Sequence, residues 1–207
     1  MTVEQQQKLL PVMTEAFVSL SKQDVFRTED FIKTCDTVVP MFEHIGAVFL
    51  IARHEFVLKK STLEEVQSKY PLLTDIVDAG KKDGTITKKN SPARNLHRLL
   101  VTVRFLRELF INLGKDLPLK EAVSLAYDET LGKIHAWVVR TGIKAGLVAL
   151  PSRDTFLEGI QETEESCRAY LEPFTSAAKT IVDRIEKLYD GVTMPKSDIT
   201  ISSLWKK

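Results

Sequence analysis

Apolar residues recur at steps of three and four along most of the 207-residue chain, and sustained alternation of period two flanked by turns is absent. Such spacing puts one apolar stripe along a helix rather than one apolar face on a strand, so an all-α fold is expected. The clearest stripe follows Pro92, where Leu96, Leu99, Leu100, Val103, Leu106, Leu109, Phe110 and Leu113 share a face until Gly114. That is the pattern of a long amphipathic helix with a proline start and a glycine stop. A second helix is expected from about Thr28, with Glu29 and Asp30 in the first turn, where the helix dipole favours acids. It would run through Phe31, Val39, Phe42, Ile45 and Phe49 towards Val57, kinked at Pro40. Ser61 and Glu64 have capping-box spacing for a short helix ending at Pro71, and Leu72 to Ala79 suggest another before the polar stretch GKKDGTITKKNSP.

Downstream, Pro118 suits the opening of a helix through Tyr127, and residues 130–149 carry a further helical pattern containing Gly132, Gly142 and Gly146. Gly142 and Gly146 lie one turn apart and suit close helix packing; a nucleotide loop would need a strand before it. Leu150–Pro151 ends this segment, residues 153–171 resume the period, and a last helix is expected from Phe174 to Tyr189, after Pro173. The tail from Gly191 gives no periodic signal. With no repeat of solenoid length and no convincing linker, residues 1–207 are expected to form one domain, its core at about 10–190 and its tail at 191–207.

Composition narrows the function classes. Hydrophobic residues make up 43% of the chain, and 29 Lys and Arg against 28 Asp and Glu leave a net charge of +1. A chain so balanced has no global attraction for nucleic acid, and any basic site must be local. Cys35 and Cys167 are far apart and lack metal-ligand spacing, so reduced thiols are expected rather than a metal site or a disulfide framework. The start, MTVEQQQKLLPV, has no basic n-region or long apolar run, and no stretch reaches the ~20 apolar residues of a membrane span. A cytoplasmic protein is expected.

Among candidate functional residues, Glu55 and Lys59 are four apart, which places a carboxylate and an ammonium on one helix face. Taken alone, this is a surface ion pair worth a few tenths of a kcal/mol. Arg94 and Arg98 repeat the spacing with like charges, which repel unless an anion or carboxylate lies between them. His135 stands two residues before Trp137 in KIHAWVVR; singly, the pair reads as a satisfied helical histidine and a core aromatic.

In combination and order these residues resemble the glycolipid transfer protein superfamily, from about Phe31 to Arg153. The runs that carry the likeness are PMFEHIGAVFLIARHEFVLKK, ARNLHRLL, HAW and ALPSR. The resemblance implies a two-layer sandwich of about eight helices enclosing an apolar lipid pocket. The activity implied is sphingolipid transfer between membranes, without catalytic residues, metal or cofactor. By position, Glu55 falls where the family has an aspartate that accepts from the sphingoid amide and hydroxyl, and Lys59 falls on a head-group position. Arg94 and Arg98 match the two arginines of the branch that carries ceramide 1-phosphate, whereas glycolipid carriers have tryptophan where Arg98 stands. His135 matches a histidine that donates to the acyl amide carbonyl, and Trp137 an aromatic residue that docks on membranes. Between Leu131 and Ile134 no further head-group residue is legible.

The partners implied are a sphingolipid, a transiently touched membrane surface and no nucleic acid, with the protein a monomer. Glu55 departs from the family by one methylene, which favours, as an alternative, a lipid sensor or scaffold of the same fold; glycolipid transfer is another. A hydrolase using Glu55 and His135 as acid and base would need a nucleophile or metal that the sequence does not offer.

Overall fold

The structure, a computed structural model, describes residues 8–196. They form eleven α-helices and one 3-10 turn, which bears out the all-α expectation with a finer division than about eight helices. The helices are α1 (Leu9–Ser21), α2 (Thr28–Val38), α3 (Met41–Ile45), α4 (Val48–Val66), α5 (Leu73–Lys82) and α6 (Pro92–Leu113). They continue with α7 (Leu119–Glu129), α8 (Leu131–Ile134), α9 (Trp137–Gly146), the 3-10 turn Leu147–Ala149, α10 (Arg153–Gly159) and α11 (Glu164–Lys187).

The helix after Pro92 forms as expected. Ser91 caps it by accepting from the Arg94 amide at 3.2 Å, and Pro92, which has no amide hydrogen to leave unpaired, occupies its first turn. Helix α6 is central: α4, α5, α7 and α11 all pack on it. Phe174 of α11 meets Phe17 of α1 and Phe110 of α6 edge-on, at 5.0 and 5.2 Å between ring centres, and so ties three helices together. On the other side, Phe105 of α6 stacks on Phe49 of α4 at 5.5 Å. Each of these buried rings contributes roughly 1.5–3 kcal/mol through area removed from water.

Several expected boundaries are corrected. The segment from Thr28 to Val57 is not one kinked helix: Pro40 starts a separate α3, and Gly46 breaks the chain again with φ +142°. A Cβ on Gly46 would stand 2.7 Å from Leu150 Cδ2, so both backbone and space demand glycine. Ser61 does not cap a helix. It lies inside α4 and donates to the Leu58 carbonyl, while Glu64 pairs with Lys60. Residues 130–149 split at His135 and Ala136, both extended, into α8 and α9. Pro173 does not end a helix either, because α11 runs through it, held by Cys167 on one side and Phe174 on the other.

The close packing expected at Gly142 and Gly146 holds for one of the two. A Cβ on Gly146 would meet Val48 Cγ2 at 2.6 Å, whereas at Gly142 nothing lies within 4 Å. In the ALPSR run, Arg153 donates to Glu164 Oε2 at 2.7 Å and to the Leu117 carbonyl at 2.8 Å, joining the starts of α10 and α11 to the α6–α7 loop. Cys35 and Cys167 are buried free thiols. Among the described residues, no helix is long and apolar enough to cross a membrane, and no cluster of side chains is arranged to hold a metal ion.

Candidate lipid-binding site

The contact of Gly146 with Val48 brings the end of α9 against the start of α4. Between these helices, α6 and α8 lies a cavity of about 680 Å³. Its wall is mostly apolar: Val48, Ile51, Ala52 and Phe56 from α4, Leu131 and Ile134 from α8, and Val138, Val139 and Ile143 from α9. Polar groups enter through Glu55, Lys59, Arg98, Thr102 and His135. Polarity changes along α4 itself. Val48 to Ala52 are apolar, whereas Glu55 and Lys59 follow one and two turns further on, about 5 and 10 Å along the axis.

Glu55 and Lys59 form the expected ion pair, with Lys59 Nζ 2.5 Å from Glu55 Oε2. Their side chains are only 35% and 22% exposed, so this pair lines a recess instead of lying on an open surface. Arg98 is buried in α6 and donates through Nη2 to the Pro195 carbonyl. His135, the extended residue that caps the end of α8, places Nδ1 2.9 Å from the Tyr127 hydroxyl. Burial, followed by the nearby Arg98 and Lys59 cations, lowers the His135 pKa to about 4, so its ring is neutral at pH 7.

Five of the six residues singled out in the sequence thus line one cavity: Glu55, Lys59, Arg98, His135 and Trp137. Arg94 is not among its lining residues. One turn before Arg98, it is buried, donating through Nη1 to the Thr87 carbonyl at 3.1 Å and through Nη2 to the Lys196 carbonyl at 3.2 Å. Each of the two guanidiniums thus donates to a neighbouring backbone carbonyl of the 195–196 segment. Trp137 is 70% exposed, which removes it from the core.

Two contributors escaped the sequence reading. Tyr127 has no local signal; only its place eight residues before His135, across a turn containing Gly132, links them. The Pro195 and Lys196 carbonyls belong to a tail without periodicity, and backbone acceptors leave no mark on composition.

The comparisons agree with this architecture. The pattern of the family described as glycolipid transfer protein (GLTP) matches residues 26–162. The ACD11 homolog protein of Arabidopsis thaliana is 31% identical over 193 residues, covering 87% of this chain and 84% of the relative. A single-site variant of Arabidopsis ACD11, solved in complex with C12 ceramide-1-phosphate, superposes with a TM-score of 0.85 at 21% identity, covering 91% of this chain and 98% of that one. Human ceramide-1-phosphate transfer protein, in complex with 12:0 ceramide-1-phosphate, superposes with a TM-score of 0.78 at 19% identity, covering 88% and 95% of the two chains. The matched pattern spans all four helices that line the cavity, and the chain belongs to the glycolipid transfer protein family.

Proposed function

We propose that the protein carries a sphingolipid between membranes, without catalysis, and that its lipid is ceramide 1-phosphate or a related phosphosphingolipid. The observation that carries this reading is one cavity with a predominantly apolar wall and a recess holding Lys59, Arg98, Glu55 and His135. Its volume of about 680 Å³ lies in the range of small-ligand sites. Burial of a lipid chain is worth ~0.8 kcal/mol per CH₂, which makes unaided passage through water prohibitive. The bilayer offers the chains the same shelter, so discrimination between lipids falls to the head group. Charge-assisted hydrogen bonds of ~1.5–3 kcal/mol each are sufficient to select a phosphate.

Arg98 is the principal phosphate donor in this reading, with Lys59 approaching from α4 and Arg94 second. For phosphate to take the donor that Arg98 gives to Pro195, that carbonyl has to move away. Glu55 accepts from the sphingoid amide, and His135 donates to the acyl carbonyl. Trp137 enters the interfacial layer of the membrane, together with the half-exposed Ile51 on the same cavity. The protein acts as a monomeric, single-domain carrier that touches membranes transiently.

The test is transfer between phosphatidylcholine vesicles. Ceramide 1-phosphate should move much faster than galactosylceramide, which offers no anion to the cations and finds no tryptophan at position 98. Equal or faster movement of galactosylceramide removes the phosphate assignment. Catalysis is tested by the lipid mass, which is expected to be unchanged after incubation.

A further inference from the structure

His135 can offer its cavity-facing side in two forms. A neutral imidazole carries its proton on Nδ1 or on Nε2, and the hydrogen bond made by one nitrogen fixes what the other presents. Here Nδ1 lies 2.9 Å from the Tyr127 hydroxyl. Tyr127 is 1% exposed, in the last turn of α7, and among the described residues its hydroxyl has no other hydrogen-bond partner. If Nδ1 carried the proton and donated, the phenol hydrogen would be buried without an acceptor, an arrangement that proteins avoid. If the phenol donates, Nδ1 accepts and both groups are satisfied.

The turn between α7 and α8 is built to keep this pair in register. The Thr130 hydroxyl donates to the Ala126 carbonyl at 2.5 Å, and the His135 amide donates to the Leu131 carbonyl at 3.0 Å. Gly132 has no side chain where a Cβ would stand 2.9 Å from the Tyr127 carbonyl oxygen and 3.4 Å from its ring. Any larger residue would therefore push α8 away from Tyr127, carrying His135 with it.

We infer that Tyr127 is a positioning residue: by donating to Nδ1 it fixes His135 as the Nε2–H tautomer and makes the histidine a dedicated donor to a carbonyl acceptor on the bound lipid. Burial supports both halves of the arrangement, holding the Tyr127 phenol protonated above the usual tyrosine range and the His135 ring neutral. The inference about the lipid rests on the sphingolipid reading above; the tautomer does not.

Two measurements separate them. In lipid-free wild type, ¹⁵N shifts of the histidine rings, with the His135 signals identified by their loss in His135→Gln, should show Nε2 protonated and Nδ1 bare. Tyr127→Phe, which removes one oxygen, should turn that signature into a mixture of tautomers. Wild type with a protonated Nδ1 overturns the inference, and this measurement stands even if the variant folds poorly. In transfer of ceramide 1-phosphate between vesicles, Tyr127→Phe should cost about 3- to 10-fold in the native background and nothing further on His135→Gln. An equal loss in both backgrounds would mean that Tyr127 acts through packing alone. Absence of transfer by the wild type, with the expected tautomer present, would sink the lipid reading and leave the positioning role intact.

Discussion

Helix α6 buries fifteen of its 22 residues, whereas α9, across the same cavity, buries only Val139 of its ten. The first is fixed from several sides, by α4, α5, α7 and α11; the second begins at an exposed tryptophan and ends in a 3-10 turn at the Val48–Gly146 contact. On the function proposed above, the difference separates two tasks. A charge that must discriminate between head groups has to be held still, and Arg98 sits on the wall that cannot shift without disturbing the core. A wall that must let chains pass has to open at little cost, and α9 has few apolar contacts to lose.

The comparison can be broken most directly through stability. Phe105→Ala, which removes the ring stacked on Phe49, should cost about 3–5 kcal/mol in urea unfolding; a loss below ~1 kcal/mol would mean that α6 is no more fixed than α9. Next in size is Arg98→Ala, which should weaken ceramide 1-phosphate binding by ~1.5–3 kcal/mol, roughly ten- to a hundredfold, with folding preserved. Arg94→Ala should cost less, about two- to fivefold, since its guanidinium is not part of the cavity lining. Measured in parallel, an equal or larger loss at Arg94 would move the phosphate away from the mapped recess.

Between the two arginines in size is Glu55→Gln, which leaves Lys59 without its counter-charge. Transfer should fall about 3- to 10-fold with little change in melting temperature, and Glu55→Asp should keep or raise activity. Wild-type transfer by the Gln variant would take Glu55 out of the site. On the α9 wall, Trp137→Ala should leave stability within ~0.5 kcal/mol and slow transfer several-fold while binding of pre-dispersed lipid holds. Equal losses of transfer and binding would show Trp137 serving the pocket instead of the membrane.

The same contrast explains what could be read from sequence. Helix α6 was legible because one uninterrupted stripe of leucines, a proline start and a glycine stop all agree. The segment around α9 was not, since its break at His135 and Ala136 comes from how the turn packs on Tyr127. Nor could Gly46 be recognised as an absolute stop, because the side chain that excludes a Cβ there, Leu150, is more than a hundred residues away. Pro173 misled in the opposite direction: tertiary contacts on either side carry α11 through a residue that would end an isolated helix. In the site, charged residues at one-turn spacing were visible as candidates, and the family resemblance assigned them roles. Spacing alone could not distinguish Arg98, inside the cavity, from Arg94, outside its lining.

The carbonyls held by the two arginines bear on a different discrimination. Pro195 and Lys196 are tethered to the end of α11 through Gly191, whose positive φ of 77° favours glycine. A short tether keeps a ligand at an effective concentration on the order of millimolar, so these oxygens compete with every incoming anion by a constant factor. A free phosphate ion has only its own charge-assisted hydrogen bonds to set against that competition. On the function proposed above, a phosphate attached to chains would gain their burial in the cavity as well, so the competing carbonyls would favour a lipid phosphate over small anions.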